Sequence, residues 1–146
     1  MGTMGVSYAA IAVAALVAVG ASAASAQGIQ HFAVLNGGNE VAAADPDGSG
    51  AASVVVRGSQ VCFSILVERI GTPVAAHIHE GKSGVNGPIR VPLTPTPAAG
   101  NPGTSSGCVS GIAAALLTDI RNNPGKFYVN VHTTKFPLGA VRGQLF

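Results

Sequence analysis

Two segments of this chain alternate residue by residue, and that leaves little choice of secondary structure. In Gln60–Glu68, Val61, Phe63, Ile65 and Val67 fall at every second position, with Cys62, Ser64 and Leu66 between them. In Lys126–Thr133, Phe127, Val129 and Val131 alternate with Tyr128, Asn130 and His132. A period of two belongs to a strand with one face on a core; a helix would scatter these side chains round its circumference. His31–Asn36, Ala51–Arg57, Val74–His79, Ile89–Leu93 and Ala140–Phe146 read as further short strands, with Pro92 suited to a sheet edge. Turn clusters separate them, among them Asn36-Gly37-Gly38-Asn39, Asp45–Gly50 and the two-residue hairpin signal Gly58-Ser59. The 20 Gly and 9 Pro of the 146 residues suit such turns and oppose a helical bundle.

One segment reads as helix. Ile112–Arg121 carries Leu116, Leu117 and Ile120 at helical spacing, and Asn122-Asn123-Pro124-Gly125 stops it. Thr94 to Gly107, rich in Pro, Gly, Ser and Thr, is expected to be a surface loop of 14 residues. The chain is therefore expected to be all-β: an antiparallel, immunoglobulin-like or Greek-key β-sandwich with one short helix over residues 112–121.

Residues 1–26 are of another kind. They carry no charged residue, and Val6 to Val19 is an apolar run dominated by Ala and Val. Small residues in Ala24-Ser25-Ala26 fit signal-peptidase cleavage before Gln27, which leaves residues 27–146 as one exported domain. Left uncleaved, Val6 to Ala24 is about long enough for a membrane anchor. Either way the domain is expected outside the cytoplasm: secreted, periplasmic or at the cell surface. In an oxidising compartment the two cysteines, Cys62 and Cys108, are expected to form a disulfide rather than stay as buried thiols. Closing so long a loop is worth roughly 3–4 kcal/mol in the chain-entropy model.

Several function classes lack support. A net charge of +2 with scattered Lys and Arg is not a nucleic-acid footprint. No Walker loop, GxGxxG, CxxC or GxSxG is present, and Glu68 and Glu80 are not marked as a catalytic pair. The remaining chemistry lies in histidines. His77 and His79, at i and i+2, emerge from one face of a strand about 7 Å apart. His132 lies on the polar face of another strand. If the two strands are close, three imidazoles converge on a site for copper or, second, zinc, with Glu80 orienting one ring. Without that approach they are surface imidazoles. His31 is expected in solvent. Arg142 is expected either to pair with a carboxylate, Glu40 or Glu80, or to guard an anion site. The Gly-rich loop Glu80–Pro88 reads as a tight connection; the other reading is an anion cradle.

The chain resembles the CHRD (chordin-type) domain family. The resemblance rests on Phe32–Gly37 with Asn39-Glu40-Val41, Asp45–Gly50, Ala75–Gly81, Gly84–Pro88, Tyr128–Thr133 and Gly139–Leu145, in that order. It covers nearly all of residues 31–146. Val41-Ala42-Ala43 departs from it where prolines are frequent. It implies an all-β immunoglobulin-like domain, usually of unassigned biochemical function; the chain is then expected to be an extracytoplasmic structural or interaction module with a protein or glycan as partner, and enzymatic activity, with superoxide handling as the candidate, is left open. Ala76–Glu80 and Val129–His132 are also similar to two strands of the Cu/Zn superoxide dismutase sandwich. That second resemblance implies His77, His79 and His132 as copper ligands and an anion-guiding role for Arg142. It does not extend to a bridging histidine or a zinc site, since no His lies between His79 and His132.

Overall fold

The computed structural model describes residues 1–2 and 28–146. The rest of the expected leader and its cleavage site lie outside the described residues. Eight strands form the body: β1 (Ile29–Asn36), β2 (Ser49–Arg57), β3 (Gln60–Glu68), β4 (Pro73–Glu80), β5 (Ile89–Pro92), β6 (Gly103–Ser110), β7 (Phe127–Thr133) and β8 (Val141–Gln144). The helix, α1, spans Ala114–Asn122. Among the described residues, no helix is long and apolar enough to cross a membrane.

All strand pairs are antiparallel and join in one sheet of order β5-β4-β7-β8-β1-β2-β3-β6. β1 and β8 share the register pair Asn36 with Arg142, and Phe32 and Phe146 exchange two backbone hydrogen bonds of 3.0 Å. The sheet is nearly barrel-shaped, and both halves share one core. Ala33, Leu35, Val54, Phe63 and Ile65 come from one half; Ile78, Val129, Val131 and Val141 come from the other. Leu117 and Ile120 of α1 join the same cluster, which is why the helix needs only one apolar stripe. The alternation in β3 gives its burial pattern directly: Val61, Phe63, Ile65 and Val67 are buried. The β2–β3 hairpin turns through Gly58-Ser59, with Arg57 opposite Gln60 and Gly58 at φ +56°.

Two expectations are corrected. The stretch expected as a loop over Thr94–Gly107 contains the start of β6, which pairs with β3 from Val67–Gly103 to Gln60–Ser110. Its glycines have low strand propensity and its serines give no apolar alternation, so the pairing comes from the neighbouring strand. Within it Cys62 and Cys108 face each other and form the disulfide. His31, expected in solvent, is 6% exposed, because alternation along β1 turns it inward with Ala33 and Leu35.

Candidate functional site

Every residue of β7 is buried, on both faces. One face belongs to the core. The other carries Tyr128, Asn130 and His132, and register explains what they meet. Across β4, Ala75 stands opposite His132, His77 opposite Asn130 and His79 opposite Tyr128. Across β8, Asn130 stands opposite Arg142 and Tyr128 opposite Gln144. Two histidines of β4, one of β7 and an arginine of β8 thus share one face of the sheet.

On that face the three imidazoles meet. One ring nitrogen from each of His77, His79 and His132 lies within 4.8 Å of the other two. Three atoms so spaced have a common point within roughly 2.8 Å of each, against ~2.0–2.1 Å for a Zn–N bond. Only small side-chain adjustments separate the cluster from coordination distance. Two rings are already oriented. His79 Nδ1 is 2.9 Å from Gly87 O, and His132 Nδ1 is 3.1 Å from Pro137 O. A carbonyl only accepts, so both Nδ1 atoms carry the proton and both Nε2 atoms are acceptors. His132 Nε2 then accepts from His77 Nδ1 at 3.1 Å. His79 Nε2 is buried and has no partner among the described residues.

The cluster is neutral at pH 7. Burial pushes His77 down to about 4, helped by His132 and His79 beside it. Burial also lowers His79 and His132, against the upward pull of their carbonyl partners. Neutral imidazole is the form that binds a metal.

The covering of this face comes from loops. A cavity of about 210 Å³ lies beside His79 and His132, walled by Asn86, Gly87, Tyr128, Asn130, Pro137 and Leu138. The Tyr128 ring stacks on His79, with centroids 4.9 Å apart and planes 10° from parallel. Tyr128 Oη accepts a hydrogen bond from Gly87 N–H at 3.1 Å. A Cβ at Gly87 would collide with Glu80 O, so this close approach requires glycine.

Arg142 is 3% exposed and Glu40 is its carboxylate, Nε to Oε2 at 3.9 Å. Burial raises Glu40 to about 7 although Arg142 pulls it down. The guanidinium lies over the Tyr128 ring at 4.6 Å. It donates to Asn39 O at 2.7 Å, Val85 O at 3.2 Å and Asn86 Oδ1 at 3.0 Å.

Of the residues singled out in the sequence, His77, His79, His132 and Arg142 are brought together. Glu80 is not: it pairs with Arg90 at 3.1 Å on the surface. Backbone carbonyls of Gly87 and Pro137 orient the rings instead, a correction with a simple cause. Glu80 follows His79 in the strand, so it points to the opposite face. The connection Glu80–Pro88 has one positive φ, at Gly84 (+79°), and its end forms part of the site. Sequence reasoning missed Gly87, Asn86 and Pro137 as site residues. Tyr128 was signalled by the alternation that placed it beside His132.

Fold and site define an all-β domain with one disulfide and a three-imidazole cluster in which His77 is half-buried and His79 and His132 are buried. The chain belongs to the CHRD domain family, whose model matches residues 31–145. Comparison with curated proteins and with solved structures gives no significant match. Family and disulfide are both consistent with an extracellular location.

Proposed function

We propose that this chain is an exported CHRD module that binds one copper ion, or zinc more weakly, through His77, His79 and His132. The carrying observation is the mutual approach of three neutral imidazole nitrogens, two of them already oriented by carbonyls. An all-nitrogen donor set suits copper and zinc, and copper(II) binds such sites more tightly. Coordination by His77 Nδ1 would move that ring's proton to Nε2, while His79 and His132 keep their tautomers. Three protein ligands leave a fourth position, and the adjacent cavity supports an exchangeable rather than closed site. The same proposal takes residues 1–26 as a cleaved signal peptide. It takes the curled sheet as a Greek-key sandwich, supported by β3 pairing with β6 after β4 and β5 have crossed to the other half.

The test is titration of metal-free protein with Cu(II) and Zn(II), followed by calorimetry and EPR. One Cu(II) per chain with nitrogen hyperfine structure, lost in His77→Ala and His132→Ala, is expected. Absence of binding, or binding indifferent to both substitutions, overturns the proposal. A second reading, docking of an extracytoplasmic protein or glycan, draws support from apolar residues on the outer surface. Phe32, Val34 and Phe146 are 48%, 62% and 66% exposed. Phe32→Ser with Val34→Ser would abolish such docking and leave metal binding intact.

A further inference from the structure

Arg142 lies under the covering of the site rather than at its mouth. Its guanidinium is stacked on Tyr128, and its Nε and Nη1 donors are committed to backbone and side-chain oxygens. Its Nη2 has no partner among the described residues but is buried with the rest of the side chain, so the guanidinium is not open to a ligand from solvent. We propose instead that Arg142 is a positioning residue for the histidine cluster: it holds the loop at Val85–Gly87 so that the Gly87 carbonyl fixes the proton of His79 on Nδ1. The consequence for copper rests on the metal-binding reading above; the positioning itself does not.

Four hydrogen bonds tie residues 83–87 to the body of the fold among the described residues. Two come from Arg142 Nη1, to Val85 O and Asn86 Oδ1. The other two belong to Gly87, its N–H to Tyr128 Oη and its carbonyl to His79 Nδ1. Arg142 thus supplies the anchors next to the peptide that orients His79. Val85 is 51% exposed, so apolar burial does little to hold this segment. Arg142 is itself fixed from the far side, by Asn39 O and the Glu40 carboxylate. The planar fork lets one side chain reach Asn39 on one side and the loop on the other. A lysine ammonium, a single point of charge, does not span both. Tyr128 lies against both the guanidinium and the His79 ring, so ring plane and tautomer are set together.

The test uses metal-free protein labelled with 15N at histidine, since imidazole nitrogen shifts report the tautomer. Wild-type His79 is expected in the Nδ1–H form. In Arg142→Lys, and in Asn86→Ala where the arginine stays, His79 is expected to shift toward Nε2–H. His132, held by Pro137 O, keeps its form. Cu(II) dissociation constants are expected to rise ten- to a hundredfold in both variants, the usual effect of losing a group that orients a ligand. Asn86 is exposed, so Asn86→Ala decides the matter if Arg142→Lys fails to fold. An unchanged His79 in the folded variants overturns the proposal. So does a parallel change in His132, which would indicate general loosening. If wild-type protein binds no copper, the metal-binding reading fails, and the tautomer result still decides the role of Arg142.

Discussion

Removing the Cys62–Cys108 bridge isolates one energetic term. The bridge spans 46 positions, and the enclosed segment contains all of β4 and β5. With a loop of that size the chain-entropy relation gives about 4 kcal/mol at 25 °C. Other contributions are small here. Cys62 is half-buried and Cys108 exposed, on the face of β3 away from the core, so serine at both positions opens no cavity. The eight register pairs of β3 with β6 continue without the sulfurs. Cys62→Ser/Cys108→Ser should therefore lose about 3–4 kcal/mol, within the ~2–5 kcal/mol typical of native disulfides. Urea denaturation followed by circular dichroism would measure it. A lower midpoint is expected with an equal or steeper slope, because the unbridged unfolded chain is more expanded. Equal midpoints for the oxidised wild type and the double variant would refute the reasoning. So would a loss below about 1 kcal/mol, since the unfolded loop would then be restricted already.

Acid should weaken the metal-free fold. His77 is lowered to about 4, and His31, His79 and His132 are lowered too, all below their unfolded value of 6.5. The unfolded chain binds more protons below pH 6.5, so stability is full above that value and is lost as pH falls toward 4. Glu40, raised from 4.5 to about 7, and Asp45, raised from 3.8 by burial, act in the opposite direction over their own windows, but two carboxyls stand against four imidazoles. A urea midpoint at pH 5 equal to or above that at pH 7.5 would contradict this balance. The Glu40 carboxyl should titrate well above the usual carboxylate range in carbon-13 spectra, and Glu40→Gln should cost under ~1 kcal/mol at pH 7. Arg142→Ala should cost ~3 kcal/mol or more, since it leaves the buried Glu40 carboxyl without its cation and removes three hydrogen bonds; equal losses for the two would break the argument. Gly87→Ala should cost about 1–3 kcal/mol, by driving a methyl group against Glu80 O, and should displace His79. Gly84→Ala, with open space at φ +79°, should cost only ~1 kcal/mol and leave His79 unchanged.

Local pattern determined the strands whose faces differ in polarity. Alternation in Val61–Val67 and Phe127–His132 specified which side chains enter the core and which share the opposite face. That same rule placed His77 with His79 and His132 with Tyr128, and two cysteines allowed only one intramolecular pair. The order of the CHRD motifs identified the family before any contact was known. β6 escaped because a Ser, Thr and Gly strand carries no periodic signal and is specified by its partner β3. Tertiary structure alone made β4 and β7 neighbours, bringing His77 to His132 across 55 positions. It also chose Glu40 over Glu80 for Arg142, and it buried His31. Most of all, it folded the loops of Gly87 and Pro137 over a polar sheet face, so that main-chain carbonyls orient the imidazoles. A main-chain carbonyl is the same in every residue, so sequence pattern cannot mark which one will face a histidine; only the folded path of the chain decides that.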